Sequence, residues 1–544
     1  MFLKPLLPPY DPLEWAKQPF SRKSRMVCEA WALQGYGAPL VIYLAYALKV
    51  LLYIGGWLFF CGRSGFATAE IGAWWHEPIA FQKAILWSAL FEILGLGCGS
   101  GPLTGRYLPP VGGALYFLRP GTTKLPLFPG AALIGGVRRN LLDVLLYAGT
   151  LALLVSSLSA AAPPRALLIA LAVCIPALGV LDKTLFLCAR GEHYWTTICV
   201  FALASHFVPG AKAIHAALWF WAGFSKLNHH FPAVVGVMTS NGPLTRFEWL
   251  RRRMYRDYPA DLNPSRFAMH LAHFGTFLEL SVPVLLLLGK GGTVTLVGLV
   301  LMVLLHVFIT SNVPMGVPIE WNFMMVYGGF VLFWEHASVS LFDMSPPVAL
   351  LVGIMGVAIP LYGNLFPARV PFLLAMRYYA GNWAYSVWLF RGTSHERLAR
   401  LTKSSPWIYD QLAGIYDEGT TLAMAGKVMA FRLMHLHGRL LPRLLKKAVP
   451  DLLAYEWVDG ELVAGLVLGW NFGDGHLHGE QLLSAIQQQC QFEPGELRCI
   501  MVESQPLGQS TLHYRILDAK TGLLEQGFGD VHDLRTRQPW DESA

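Results

Sequence analysis

The sequence predicts an all-α polytopic membrane helix bundle of about ten helices, closed by a small α+β C-terminal soluble domain. Three observations carry this prediction. Of 544 residues, 54% are hydrophobic and only 14% charged, against roughly 25% charged in soluble domains. Mean hydropathy is +0.43. Several apolar runs approach the ~20 residues that cross a hydrocarbon layer. The eight cysteines form no CxxC pair. Cys61, Cys98, Cys174, Cys188 and Cys199 sit in or beside apolar runs. This is the pattern of reduced, buried thiols and not of a disulfide or zinc framework. The net charge of +7 is modest, and no nucleic-acid partner is expected.

Residues 1–35 open with the Pro-rich polar stretch KPLLPPYDPLEWAKQPFSRKSR. They lack the basic region and apolar core of a secretory leader and are expected to be a cytoplasmic arm. A transmembrane domain is expected over 36–400, with helical apolar runs at 36–60, 79–97, 141–161, 166–188, 194–208, 212–230, 269–289, 292–310, 322–335 and 346–366. Basic residues set its orientation. Arg22, Lys23 and Arg25 precede the first run, Arg138 and Arg139 lie in the second connection, and Arg246, Arg251, Arg252, Arg253, Arg256 and Arg266 follow His230. Ten crossings put all of them on one side, which the positive-inside rule makes the cytoplasm. Both termini then face it, and the compartment is a bacterial inner membrane.

Residues 401–544 change character. AGKVMAFRLMHLHGRLLPRLLKKAV reads as a basic amphipathic helix along the membrane surface. Asp459-Gly460 predicts a hairpin turn. EQLLSAIQQQCQF predicts a helix, and LRCIMVES and TLHYRILDAKTGLLEQGF predict strands. This domain could recruit a protein partner.

Charges inside a bilayer cost a few kcal/mol at least, so they are functional candidates. Lys226 near the end of its apolar run is the foremost; snorkelling to the headgroups is its plain alternative. Helical spacing sets His215, Trp219, Ala222 and Lys226 on one stripe that His230 extends. Ala222 and Gly223 admit a neighbouring helix. A lysine packed there loses water, and its depressed pKa would suit a general base. Asp182 and His193 in LDKTLFLCARGEHYW, His270, His273 and Glu279 in HLAHFGTFLELSVP, and His306 in VLLHVFITSN are further candidates. In the ten-helix topology His193, Lys226, His270 and His306 fall toward one leaflet. Glu279 could instead be a buried carboxylate that holds helices together. His270 and His273 could ligate a metal with His306, although no metal is expected. The Gly- and Pro-rich stretch GPLTGRYLPPVGGALYFLRPGTTKLPLFPG could fold over the site as a lid.

FWAGFSKL resembles the membrane motif of the vitamin K-dependent gamma-carboxylases and of the wider bacterial group named for a horizontally transferred transmembrane domain. LDKTLFLCARGEHYW, FLELSVPVLLLL and LLHVFITSN followed by NFMMVYG are similar to further family segments in the same order. The likeness covers roughly residues 140–340. The whole chain, with GPLTGRYLPPVGGALYFLRPG and GWNFGDGHLHGEQ, also resembles an uncharacterised family of bacterial transmembrane proteins common in actinobacteria. The carboxylase resemblance implies an enzyme acting on a lipophilic, quinol-like substrate. Lys226 would be its base, His193 and His306 would orient the substrate oxygen, and a quinone or quinol would be its cofactor or substrate. Trp219, His215, His230, Asp182, Glu279, His270 and His273 complete the expected substrate pocket. Membrane lipids are expected partners. A non-enzymatic scaffold and a transporter are the alternatives.

Overall fold

The computed structural model describes residues 2–101, 104, 106–313 and 318–542. Helix α1 (Phe20–Gln34) is followed by α2 (Leu40–Gly62), α3 (Pro78–Ile93), α4 (Leu141–Ser159) and α5 (Arg165–Leu181). Then come α6 (Val208–Ser225), α7 (Phe231–Asn241), α8 (Arg266–Leu288), α9 (Thr293–Ser311), α10 (Ile319–Phe330) and α11 (Pro346–Leu365). The C-terminal part holds α12 (Glu418–Met434), α13 (Leu441–Ala448), α14 (Gly460–Leu468) and α15 (Glu480–Cys490).

Among the described residues five helices are long and apolar enough to cross a membrane: α2, α4, α8, α9 and α11. The expectation of about ten is corrected, and the reason is physical. Several of the expected runs form helices shorter than a crossing needs, such as the 16 residues of α3, the 17 of α5 and the 12 of α10. Helices α3 and α6 are buried on nearly every side. Their lysines end on protein carbonyls and not on headgroups: Lys83 donates to Phe60 O at 2.6 Å and Lys212 to His336 O at 2.7 Å. The run at 166–188 breaks at Asp182, whose side chain caps the next short helix by accepting from Thr184 N. The run at 194–208 yields only Thr196–Leu203, and that at 322–335 yields α10 and a widened turn, Val331–Glu335.

The C-terminal part is built on a five-stranded antiparallel sheet. Its strands are β1 (Tyr385–Arg391), β2 (Tyr455–Asp459), β3 (Leu497–Val502), β4 (Thr511–Asp518) and β5 (Gly522–Asp530), in the order β2-β1-β3-β4-β5. The sheet begins before position 401. Strand β1 is buried on both faces. Trp388 and Phe390 join the core of the bundle, while Val387 and Leu389 join a second core with Trp31 of α1 and Leu433 of α12. Membrane and non-membrane parts thus share one interior, and the N-terminal arm is docked into it.

Two local expectations change. Asp459-Gly460 is no hairpin: Asp459 ends β2 and caps α14, accepting from Glu461 N at 2.9 Å. The basic amphipathic segment is broken after Met434, where His435 turns extended. Arg432 and Arg439 lie inside the protein, where Arg432 bonds Asp459 at 2.8 Å and Arg439 bonds Asn263 and Arg537 O. The Gly- and Pro-rich stretch falls partly outside the described residues. Its Arg106 donates to the carbonyls of Gly465 and Gly469 at the end of α14, where the helix dipole favours a cation.

Helices α6 and α8 approach at Gly223, where an added Cβ would stand 2.9 Å from the Leu280 side chain and 3.2 Å from its backbone nitrogen. Gly223→Leu is expected to force them apart and to cost about 1–3 kcal/mol, seen as a lower thermal midpoint of the full chain in detergent.

Candidate functional site

Lys226 follows the last turn of α6 and Glu279 lies on α8, one turn before Pro283. The close approach at Gly223 brings the two together, and they form a buried ion pair. The Lys226 ammonium also stands 5.6 Å over the Phe231 ring. Lys226 is not snorkelling: its side chain is only 9% exposed.

Both groups line a cavity of about 430 Å³ between the bundle and the C-terminal sheet. Its apolar wall comes from α7, α8 and α9. Phe274, Leu304 and Phe308 line it and yet stand 57%, 57% and 46% exposed on membrane-crossing helices. The cavity wall thus includes exposed apolar side chains of α8 and α9. Its polar wall includes Arg190, Arg377, Asp459 and Glu461, and Thr104 and Tyr107 of the Gly- and Pro-rich stretch also contribute. Burial, helped by neighbouring Asp459, pushes the Glu461 carboxyl up to about 7.

His306 on α9 has a fixed tautomer. The Asn322 amide donates to Pro318 O at 2.8 Å, so its oxygen faces His306 Nδ1 at 2.7 Å and accepts from it. Nε2 then accepts from the Trp219 indole at 3.0 Å. Both ring nitrogens are occupied, so His306 acts as a strut that sets Trp219 and not as a free proton acceptor. Trp219, His306, Trp321 and Asn322 all reach the cavity.

The other predicted residues lie apart from its lining. His193 sits on a widened turn, Gly191–Trp195, with both ring nitrogens unpartnered among the described residues. It packs 5.0 Å from His215 by ring centroids. His215 bonds Ala211 O through Nδ1 at 3.1 Å. Gly328 has no side chain to block its Nε2. Asp182 pairs with Arg139 at 2.6 Å and is structural. His230 bonds Gln505 at 2.8 Å and ties the bundle to the sheet domain. His270 and His273 are exposed, off the stripe of Ala268, Ala272, Thr276 and Glu279 that faces inward. They do not join His306, and among the described residues no group of three or more potential ligands could hold a metal.

Sequence reasoning missed Arg190, Arg377, Tyr378 and Glu461. Arg190 stands 3.6 Å from Glu92 and 3.8 Å from Glu192, and 4.7 Å over the Phe472 ring. Near Arg377 a second polar cluster forms: His476 bonds Glu503 at 3.1 Å and stands 3.6 Å from Asp474. Burial pulls the His476 ring down, but the facing Glu503 carboxylate and Asp474 outweigh it, and the net shift is upward. Burial raises Glu503, yet His476 and its hydrogen bond bring it down to about 2.

A bundle with five helices long and apolar enough to cross a membrane, enclosing a largely apolar cavity lined by a buried ion pair, defines an integral membrane protein. The chain belongs to the DUF3556 family, transmembrane proteins of unknown function, which matches residues 1–544. No curated protein and no solved structure matches the chain, so these comparisons give no link to the gamma-carboxylases.

Two measurements test this geometry. Lys226→Met leaves Glu279 buried without its cation and is expected to cost about 3–5 kcal/mol, whereas the double variant Lys226→Met, Glu279→Leu recovers most of it; thermal melts of the three proteins read the cycle. The His476–Glu503 pair sets a pH window. The raised histidine contributes stability below its ordinary value and loses it as pH rises through its raised one. The lowered glutamate contributes above its ordinary value and loses it as pH falls toward about 2. The melting difference between wild type and His476→Gln is expected to peak near about pH 5.5 and to narrow by about pH 9 and below about pH 3.

Proposed function

We infer that this is an enzyme of the bacterial inner membrane, with both termini cytoplasmic, that removes a proton from an acidic, quinol-like hydroxyl of a lipophilic substrate. The single observation that carries the reading is the Lys226–Glu279 ion pair lining a cavity whose wall includes exposed apolar side chains of α8 and α9, helices long and apolar enough to cross a membrane. A lipophilic molecule enters from the hydrocarbon without crossing water. The likeness of FWAGFSKL to the carboxylase lysine motif supports the same assignment.

The ion pair refines the role of the lysine. A lysine already paired as an ammonium holds its proton, so the acceptor in this arrangement is the Glu279 carboxylate. The substrate O–H bond breaks, its proton passes to Glu279, and the electron pair stays on the substrate oxygen. The Lys226 ammonium, freed from full charge on its partner, stabilises that oxyanion. In a dry cavity such a charge contact is much stronger than in water. Trp219, held by His306, shapes the wall beside it.

The test uses the full chain in nanodiscs with a long-chain hydroquinone under air, with oxygen uptake reporting the faster oxidation of the deprotonated quinol. Glu279→Gln and Lys226→Met are each expected to lower the rate by about 10²-fold or more, and His306→Gln by less. Rates at the wild-type level in both of the first two variants, with intact folding, rule the proposal out.

A further inference from the structure

Arg377 has a position that the proton-transfer reading does not use. It follows the last membrane-crossing helix, is 3% exposed, and faces the cavity. Among the described residues no hydrogen bond or ion pair engages its side chain, and its Nε and Nη1 are buried and unpartnered. The other buried cations named above have partners: Lys226, Arg432, Arg139 and Arg190 pair with carboxylates, and Lys83, Lys212, Arg106 and Arg439 end on carbonyl or amide oxygens. The carboxylates whose field reaches Arg377 are Glu503 and Asp474, and both are turned to His476. Leaving a guanidinium buried without a partner is costly.

The backbone around it is also held away from its ordinary conformations. Met376 and Tyr379 have φ of 51° and 35° without being glycine, at a cost of order 1–3 kcal/mol each. The result is that three consecutive residues, Arg377, Tyr378 and Tyr379, all reach the cavity wall. Tyr378 is fixed there by donating to Glu192 at 3.0 Å.

We propose that Arg377 is a binding residue for the anionic group of an amphiphile, a phosphate or carboxylate, whose apolar chain runs along α7, α8 and α9 toward the lipid. A planar guanidinium offers two parallel donors to either oxyanion. The charge that Arg377 lacks within the protein is then supplied by the ligand. The inference rests on the reading of the cavity as a site for a lipophilic substrate, and it narrows that substrate to one that carries an anionic group beside its apolar part.

The experiment uses the full chain in detergent, with dodecyl phosphate, dodecanol and inorganic phosphate as probes and with wild type, Arg377→Met, Arg377→Lys and Glu279→Gln compared by calorimetry. Wild type is expected to bind dodecyl phosphate at least about tenfold more tightly than dodecanol. Arg377→Met is expected to lose that preference while keeping dodecanol binding, Arg377→Lys to retain part of it, and Glu279→Gln to keep it. Removing an unpaired buried charge is further expected to hold or raise the thermal midpoint of Arg377→Met, which separates lost binding from lost folding. Inorganic phosphate binding as tightly as dodecyl phosphate would overturn the amphiphile and leave a free-anion site. Arg377→Met binding dodecyl phosphate like wild type overturns the assignment while leaving the proton-transfer reading intact. Wild type binding neither amphiphile overturns both.

Discussion

A charge placed in a medium of low polarisability needs an opposite charge or hydrogen-bonding oxygens beside it, and this constraint organises much of the molecule. Lys124 meets Asp143 at 2.6 Å, Arg139 meets Asp182 at 2.6 Å, Arg432 meets Asp459 at 2.8 Å, and Lys226 meets Glu279, all nearly inaccessible to solvent. Each pair joins two different segments, 19 to 53 residues apart in the chain. Hydrophobic burial brings helices together without direction, whereas an ion pair works at one register only. The pairs thus fix how the helices are set, and the Lys226–Glu279 pair fixes the two that bound the cavity.

The membrane nature of the chain was legible in the sequence because composition alone reports it. The number of crossings was not. Helix α3 is only 16 residues long and α6 carries Lys212 and His215 inside, whereas the five helices counted as crossings are 19–23 residues long and each hold a more apolar stretch. Lys226 could be singled out because a cation in an apolar run is expensive. Its partner Glu279 was also visible, but as a candidate among several, since only the approach at Gly223 pairs the two. His270 and His273 had equally suggestive spacing and stand outside. Helical periodicity gives a face, not what that face meets.

The C-terminal region shows the same limit from another side. Strand β1 is buried on both faces, so YSVWLFR lacks the alternation that marks a half-exposed strand. Asp459-Gly460 has the residues of a tight turn and also those of a helix cap, and the second use prevails because α14 must start there. Arg377 was hidden because a lone arginine after an apolar run is the ordinary sign of a membrane boundary. That it points inward depends on two residues held at positive φ.

The shared interior has a consequence for biosynthesis. Strand β1 lies at the heart of the sheet, but its partner β3 emerges from the ribosome more than a hundred residues later. The cavity wall built from residues 377–379 and 457–473 is therefore finished last. A chain stalled or cut before residue 497 would sit in the bilayer with its interior open, a recognisable cue for quality-control proteases.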